Sequence, residues 1–256
     1  MQLFNDRLSE LTGPLVGHSL GNLIIARLDH IFKGQDRGLE AARHLFGIRA
    51  DVTPVSLTDV QLIMRYKSGV EIEGEGSIDE RAKRSDFRPE DKPLRIYFNT
   101  LAEANPKALA RIREADKIVF APGSLYGSIL PHLLVDGLSD VVVESTANVI
   151  FVLNLMTERG QTDFYKASDH VRAFLYYLGD NRRLNYLIVN DNSLDPEVLE
   201  IYRQEGQTPI ELDVAECQKL APKVKIIKRS LAAYLRRQHL LRHDPDLLAS
   251  EVLSLK

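Results

Sequence analysis

Apolar residues along this chain follow two spacings that alternate from one end to the other. Short β-branched or apolar runs predict strands at 52–56, 94–98, 118–120, 149–153, 186–189, 210–212 and 224–227. Helical spacing, often opened by Asn-Pro, Asp-Pro or a serine, predicts helices at 23–31, 36–46, 105–115, 168–178 and 195–204, and from 244 onward. Strands that alternate with helices favour an α/β fold with a doubly wound, mostly parallel, Rossmann-like sheet.

One stretch, residues 52–92, interrupts this alternation. Apolar runs on both sides of Lys67-Ser68-Gly69 are typical of a β-hairpin. The residues that follow, 77–93, are charged and contain two prolines, so we expect a surface loop there. We therefore predict one domain over residues 1–256, with a β-hairpin insertion and surface loop inside it.

Composition narrows the class of protein. A hydrophobic fraction of 44% and a charged fraction of 27% are ordinary for a globular protein. The net charge of -3 gives no general attraction to nucleic acid, and no apolar run is long enough for a membrane span. The single cysteine, Cys217, excludes an internal disulfide and a cysteine zinc cluster. We therefore expect a cytoplasmic protein without a nucleic-acid partner.

The segment from Lys117 to Val135 carries the clearest functional signal. A β-branched run stops at Pro122-Gly123, and an apolar periodic segment begins behind Ser124, which predicts a strand, a tight turn and a helix start. Backbone N–H groups at a helix start favour a phosphate or carboxylate, and a glycine allows close approach. Ser124 is equally compatible with a simple N-cap role, and the segment lacks the Gly-Lys-Ser/Thr of a P-loop.

Two other predicted strand ends are polar, at Asn154–Thr157 and at Asn190–Asn192. Ligands of open α/β sheets bind beyond the carboxyl ends of the strands. A cleft formed by these ends and the Gly123 turn would offer amides and hydroxyls, which suit a phosphate together with a base or sugar. These groups do not supply a nucleophile.

These motifs together resemble the YvcK/CofD-like family. The resemblance rests on Gly17-His-Ser-Leu-Gly-Asn-Leu23, Ala121-Pro-Gly-Ser-Leu-Tyr-Gly-Ser-Ile-Leu-Pro131, Asn154-Leu-Met-Thr157, Ala167-Ser-Asp-His-Val171 and Arg242-His-Asp-Pro245. One branch, the gluconeogenesis factors, is linked to UDP-sugar binding, carbon metabolism and cell shape. The other branch is the 2-phospho-L-lactate transferase, which acts on a deazaflavin. The resemblance implies a nucleotide-binding α/β fold in either case.

The resemblance also indicates which residues contact a ligand. The candidate ligand or phosphate-binding residues are Gly17, His18, Ser19, Gly21, Asn22, Gly123, Ser124, Tyr126, Ser128, Asn154, Thr157, Asp169 and Asn190. Plainer roles stay open for several of them. Ser19 is compatible with a helix cap, Tyr126 with packing, and Asp169 with a favourable position at a helix N-terminus.

The sequence departs from the family pattern at its start. A Gly-Gly-Gly-Thr-Gly-type loop and an Asp-Asp-Gly-Gly-Ser stretch open that pattern, and neither occurs here. Asp169 and Asp191 are the weak candidates for holding Mg²⁺ with a nucleotide. We therefore expect a regulator that binds a nucleotide or nucleotide-sugar, with no catalytic residue assigned. The alternatives are a phospholactate transferase-like enzyme and a non-binding oligomeric remnant. We also expect a homo-oligomer, because a sheet without that first strand exposes apolar surface near 118–120 or 149–153.

Overall fold

A computed structural model describes residues 4, 6–9, 12–235 and 240–256 of the chain. These residues form two compact units, one built from 1–57 with 104–108 and the other from 58–103 with 109–256. In the described part of the chain, no helix is both long enough and apolar enough to cross a lipid bilayer.

The smaller unit is built around two helices, α1 (Leu20–Phe32) and α2 (Gln35–Leu45), joined by a short turn. Helix α1 begins where Ser19 Oγ accepts the N–H of Asn22 at 3.2 Å. It ends at Lys33, which adopts a left-handed conformation. The two helices therefore form a helical hairpin.

The larger unit contains a parallel four-stranded sheet, which confirms the predicted α/β class. The strands β4 (Lys117–Phe120), β5 (Asn148–Val152), β6 (Tyr186–Asn190) and β7 (Lys225–Arg229) follow one another in chain order. Strand β5 lies in the interior of the sheet, and its residues 149–152 are fully buried. Strand β4 lies at the edge of the sheet as described, and Val119 on it is 39% exposed.

Helices accompany this sheet. Those at 106–114, 167–178, 196–204 and 245–254 were predicted from the sequence, and those at 138–144 and 214–220 were not. They are α4 (Pro106–Glu114), α5 (Leu138–Glu144), α6 (Ala167–Leu178), α7 (Pro196–Gln204), α8 (Val214–Leu220) and α9 (Pro245–Ser254). Phe174 of α6 packs face to face on Phe151 of β5, with ring centroids 4.8 Å apart. Asp195 and Asp244 cap α7 and α9, each followed by a proline in the first turn.

The predicted hairpin is present in the same unit. Strands β1 (Leu62–Tyr66) and β2 (Glu71–Glu73) pair antiparallel, with Met64 opposite Ile72. Strand β3 (Pro93–Phe98) also pairs antiparallel with β1, so it belongs to a three-stranded antiparallel sheet. A second hairpin, β8 (Ala232–Leu235) with β9 (Leu240–His243), was not predicted from the sequence.

Two predicted strands are not formed. Residues 52–56 make only one isolated bridge, between Ser56 and Ala104, and residues 210–212 have no strand geometry. Each of these stretches contains or follows a proline, Pro54 or Pro209, which has no N–H to donate to a ladder. Neither apolar run therefore becomes a strand.

The predicted surface loop at 77–93 is instead partly structured and partly buried. A short helix, α3 (Glu75–Asp79), is followed by a 3₁₀ turn at Arg81–Lys83. Arg81 is only 1% exposed, because its guanidinium pairs with Asp86 at 2.8 Å and lies 5.0 Å from the centroid of the Tyr66 ring. Charge alone was a poor guide here, since a paired arginine can be buried.

Helix α6 begins one residue earlier than predicted. Lys166 is the N-cap residue, and its N–H donates to Asp169 Oδ2 at 3.0 Å. Ser168 is not the cap. Its hydroxyl is buried and donates to Asp213 Oδ2 at 2.5 Å. A carboxylate bonded to the N-cap N–H is half of a capping box, so Asp169 has a structural role in starting this helix.

Candidate functional site

The carboxyl ends of β4 and β5 lie side by side and open into a cleft. Phe120 is in register with Phe151, so the residues that follow the two strands meet at the same edge of the sheet. There Asn154 Nδ2 donates to the carbonyl of Gly123 at 2.7 Å. The cleft has a volume of about 380 Å³, and we call it the Gly123 cleft. Its lining includes Pro122, Gly123, Ser124, Asn154, Leu155, Met156, Thr157, Glu158, Tyr202, Gln207, Leu241, Arg242 and His243.

The turn after Gly123 is not the regular α-helical start that the sequence predicted. It is a single π-helical turn at Leu125–Ile129, followed by a 3₁₀ turn at Leu130–Leu134. Ser124 caps it: its Oγ accepts the N–H of Gly127 at 3.2 Å, and its carbonyl accepts two further N–H groups at 2.9 Å. The Gly127 N–H, one of those that the sequence offered to a phosphate, is therefore used within the turn.

The carboxylate of Glu158 lies beside this turn. Ser124 Oγ lies 2.8 Å from Glu158 Oε2, and the backbone of Leu125 also hydrogen-bonds to Glu158. Burial raises the pKa of Glu158, and the nearby Asp79 raises it further. Sequence reasoning missed Glu158. The available signal was its position next to Thr157, at the end of a polar strand terminus.

Two side-chain atoms of residues that line the cleft are acceptors without a partner in the described part of the chain. Asn154 Oδ1 and His243 Nε2 are buried and have no hydrogen-bond partner among the described residues. The ring of His243 hydrogen-bonds to the Leu153 backbone, and burial lowers the pKa of the imidazole below its ordinary value. With Nε2 unpartnered, the bonded nitrogen is Nδ1, so the neutral ring presents Nε2 as an acceptor.

One cation completes the lining. Arg242 lies on β9 next to His243, is exposed, and spends one N–H on the Leu241 carbonyl at 2.9 Å. No carboxylate of the described ranges lies within ion-pair distance of its guanidinium. Two unsatisfied acceptors therefore belong to residues that line the cleft, and one exposed cation lies beside them. Neither His243 nor Arg242 was among the residues predicted to bind a ligand.

Gly123 does not need to be glycine for the packing of the protein itself. Its φ is not positive, and a Cβ built on it would meet Ser128 Cβ at 3.4 Å, an ordinary contact. Ser128 itself is exposed. A role for Gly123 in the close approach of a ligand stays a prediction.

Thr157 and Asn190 spend their polar atoms on the protein. Thr157 Oγ1 accepts the N–H of Thr208 at 2.9 Å. Asn190 Oδ1 accepts the N–H groups of Leu231 and Ala232, each at 2.9 Å. Asn190 thus positions the chain that leads into β8. Its predicted contact with a ligand is left as a prediction.

Tyr126 and Asp169 line a different cavity of the same unit. Tyr126 is 5% exposed, and its hydroxyl lies 2.9 Å from that of Tyr165. Both oxygens of Asp169 are engaged, one by Lys166 N–H and one by Arg172 at 2.8 Å. The structure therefore separates these two residues from the Gly123 cleft, although the sequence grouped them with it.

The weak metal candidates are not brought together with other ligands. Asp191 is exposed, and Asp169 is paired with an arginine. Within the described ranges, no group of three or more histidine, cysteine, aspartate or glutamate side chains is arranged to hold a metal ion.

The Gly17–Asn22 segment belongs to the smaller unit. Gly17 has a positive φ of 77°, His18 and Asn22 are exposed, and Ser19 is the helix cap. Gly21 is buried against the ring of Phe4, where a Cβ would come within 2.5 Å of the ring. Helix capping and close packing thus explain Ser19 and Gly21, and the ligand contacts predicted for this segment are left as predictions.

A family model described as "2-phospho-L-lactate transferase CofD" matches residues 1–232 of this sequence. The chain belongs to the CofD family. It is 37% identical over 217 residues to a putative gluconeogenesis factor of Thermotoga maritima, which covers 85% of this chain and 65% of that relative. It is also 31% identical to the gluconeogenesis factor of Bacillus subtilis, covering 99% of this chain and 76% of the relative.

A solved structure of a Bacillus halodurans protein supports the same assignment within the CofD family. It matches with a TM-score of 0.89 at 30% identity, covering 99% of this chain and 77% of that chain. The resemblance to the YvcK/CofD-like family is thereby confirmed. The chain spans just under two thirds of the Thermotoga relative's length, so activities of whole relatives reach this chain only as proposals.

Proposed function

We propose that the Gly123 cleft binds a nucleotide or nucleotide-sugar of the UDP-sugar type, and that this CofD-family chain acts as a regulator. The observation that carries the proposal is the pair of buried, unpartnered acceptors, Asn154 Oδ1 and His243 Nε2, beside the unpaired cation of Arg242. Uracil N–H and sugar hydroxyl groups are hydrogen-bond donors, and the diphosphate is an anion. The donors of the ligand match the two unpartnered acceptors, and its negative charge matches the guanidinium of Arg242.

The partly buried carboxylate of Glu158 weighs against a bare phosphate as the ligand. An ionised Glu158 would repel a phosphate placed directly on the Ser124 turn. The diphosphate of the proposed ligand therefore lies toward Arg242, on the side of the cleft formed by β9. Mg²⁺ bound with the nucleotide would reduce the repulsion further.

Calorimetric titration with UDP-glucose, UDP-N-acetylglucosamine, GDP and GTP, each with and without magnesium, tests the proposal. We expect a UDP-sugar to bind, and Arg242→Gln to weaken it by about tenfold through loss of a charge-assisted hydrogen bond. Arg203→Gln is the matched control, because Arg203 is an exposed arginine of α7 outside the cleft. Equal affinity in the parent and in Arg242→Gln would place the ligand elsewhere.

A role in carbon metabolism is proposed on the relatives' name, gluconeogenesis factor, and a role in cell shape on the family resemblance. Complementation of a bacterial strain that lacks its own gluconeogenesis factor tests both. The parent chain should restore growth on a gluconeogenic carbon source and normal cell shape, and Arg242→Gln should restore them less well. Full rescue by Arg242→Gln would separate the cellular role from the cleft.

Transferase activity is the second candidate, favoured by the description of the matching family model. The described part of the Gly123 cleft contains one carboxylate, Glu158, and no group of side chains arranged for a metal. Stabilising a transferring phosphoryl group normally needs a metal or a clamp of several cations. We therefore propose that this polypeptide does not transfer a phospholactyl group by itself. Turnover of a deazaflavin alcohol with a nucleotide-linked phospholactate donor would contradict this.

A further inference from the structure

A second cavity of about 310 Å³ lies in the larger unit, and we call it the tyrosine pocket. It is formed by the turn after β1, the start of β3, the π-helical turn and one face of α6. It shares no lining residue with the Gly123 cleft. Its chemistry is set by Lys67, Lys92, Tyr126, Tyr165, Arg172 and Tyr176.

The rim of the pocket carries uncompensated positive charge. The N–H of Lys67 donates to the Lys92 carbonyl at 3.0 Å, which holds the two lysines next to each other on neighbouring segments. No carboxylate in the described part of the chain lies within ion-pair distance of either ammonium. Arg172, which also lines the pocket, is paired with Asp169 at 2.8 Å. Three cations against one carboxylate leave a local excess that an anion would offset.

The walls of the pocket are aromatic, and their hydroxyls are already occupied. The hydroxyls of Tyr126 and Tyr165 lie 2.9 Å apart, and that of Tyr177 accepts the N–H of Ile96 at 2.7 Å. Burial raises the pKa of all three phenols, so they remain neutral. The pocket therefore presents ring surface rather than free polar groups. Lys92 Nζ lies 5.2 Å from the ring centroid of Tyr165, which joins the charged rim to the aromatic wall.

One large ring remains available for stacking. Tyr176 is 73% exposed at the pocket rim and lies one helical turn after Arg172 on α6. A planar group on the Tyr176 face would have its substituent close to the cations. In the free protein, the exposed ring of Tyr176 lowers solubility, and the neighbouring lysine charges repel each other. A bound planar anion would cover the ring and offset the repulsion.

We propose that the tyrosine pocket binds a planar aromatic anion of the aryl phosphate type, independently of the ligand in the Gly123 cleft. The ring lies against Tyr176 and the tyrosine wall, and the phosphate lies between Lys67, Lys92 and Arg172. Both halves of the ligand are required, because the pocket provides charge at its rim and ring surface on its walls.

Fluorescence titration with 4-methylumbelliferyl phosphate tests the proposal, since the probe combines a fused aromatic ring with a phosphate. We expect saturable binding, and affinity at least about tenfold weaker for 4-methylumbelliferone and for inorganic phosphate, each lacking one half. Equal affinity for 4-methylumbelliferone would show a purely apolar surface and overturn the proposal. The absence of saturable binding would overturn it as well.

Two variants locate the probe. Lys92→Gln removes one cation and Tyr176→Ala removes the exposed ring, and each should weaken the probe's binding by about fivefold or more. Lys223→Gln, an exposed lysine outside the pocket, is the matched control and should bind as the parent does. Circular dichroism checks that each variant is folded. If both variants bind the probe as tightly as Lys223→Gln does, the tyrosine pocket is not the site.

Discussion

The Gly123 cleft and the tyrosine pocket lie in the same unit but differ in what they leave open to a ligand. In the cleft, the N–H of Gly127 is used by Ser124 and that of Leu125 by Glu158, while Asn154 Oδ1 and His243 Nε2 have no partner among the described residues. In the pocket, the hydroxyls of Tyr126 and Tyr165 are paired with each other, while Lys67 and Lys92 have no carboxylate partner among the described residues.

This difference shows that the polar groups a protein satisfies internally are as informative as those it exposes. A strand–turn–helix pattern suggests an anion site wherever it occurs. Here the Glu158 carboxylate already accepts hydrogen bonds from that turn. The unpartnered groups nearby are acceptors, so they favour a ligand that donates hydrogen bonds. The stronger attraction for an anion lies in the tyrosine pocket, where the sequence showed only separated lysines and tyrosines.

The largest predicted effect is a loss of stability on replacing Arg81, whose partner Asp91 directly precedes Lys92 of the tyrosine pocket. Arg81 is 1% exposed and pairs with Asp86 and with the nearly buried Asp91, which also holds the Ser68 hydroxyl beside the two lysines. Arg81→Met should lower the free energy of unfolding by about 3–5 kcal/mol, because it leaves a buried carboxylate unpaired. Urea denaturation followed by circular dichroism measures it.

Arg84 offers a matched control for this variant. It pairs with the same Asp86, but its side chain is 51% exposed. Arg84→Met should therefore change the free energy of unfolding by only about 0–1 kcal/mol. Equal losses in the two variants would show that burial of Arg81 does not set its contribution.

A branched side chain at Gly123 should affect the cleft and leave the pocket unchanged. Gly123→Ala should fold and bind a UDP-sugar nearly as the parent does, since its Cβ has room beside Ser128. Gly123→Val should remove the thermal stabilisation by UDP-sugar, because its added methyl groups fill the approach to the turn. Thermal shift assays with both ligands measure this. Unchanged UDP-sugar binding by Gly123→Val would contradict the proposed site.

Glu158 should oppose anions in the cleft. Glu158→Gln keeps an acceptor for Ser124 but removes the charge, so a UDP-sugar should bind about fivefold more tightly at about pH 7. In the parent, binding should tighten as the pH falls through the raised pKa of Glu158, where the carboxyl becomes neutral. Calorimetry across this range measures it, and a parent and variant with parallel pH profiles would contradict the role of Glu158.

The same pKa shift predicts a dependence of stability on pH. A carboxyl whose pKa is raised on folding favours the protonated folded state, so its contribution is lost as the pH rises from the unfolded value through the raised value. Glu158→Gln should therefore have a higher Tm than the parent at about pH 7. The difference should shrink below the ordinary pKa of a glutamate. Scanning calorimetry at both pH values measures this.

The smallest predicted effect concerns self-association. Val119 is 39% exposed on the edge strand β4, and we expect copies of the chain to associate there. Val119→Lys should lower the average mass measured by light scattering at high protein concentration. Ile201→Lys, at 37% exposure on α7, is the control. Equal masses for the parent and both variants would place any association elsewhere.

The sequence predicted the parallel sheet and the hairpin because each depends on local spacing of apolar residues. It failed where tertiary contacts decide the outcome. Arg81 is buried by carboxylates from later in the chain, and the sequence between β8 and β9, residues 236–239, contains no glycine, proline, asparagine or aspartate to indicate a turn. Ser124 and Tyr126 were assigned to one site, yet residues two apart on a helical turn point in different directions.

The contributions of His243, Arg242 and Glu158 could not have been read from spacing alone. His243 and Arg242 reach the cleft through the β8–β9 hairpin, far along the chain from Gly123. Glu158 follows Thr157 directly, but only the fold places its carboxylate on Ser124. Asn154, by contrast, was predicted correctly to lie beside the Gly123 turn, because parallel neighbouring strands end at the same edge.

The most direct test of the account is a crosswise titration of two charge-removing variants with two ligands. Arg242→Gln and Lys92→Gln would each be titrated calorimetrically with UDP-N-acetylglucosamine and with 4-methylumbelliferyl phosphate. We expect Arg242→Gln to weaken only the UDP-sugar, by about tenfold, and Lys92→Gln to weaken only the aryl phosphate, by about fivefold. If either variant weakens both ligands equally, or neither, the two cavities are not the separate sites described for them.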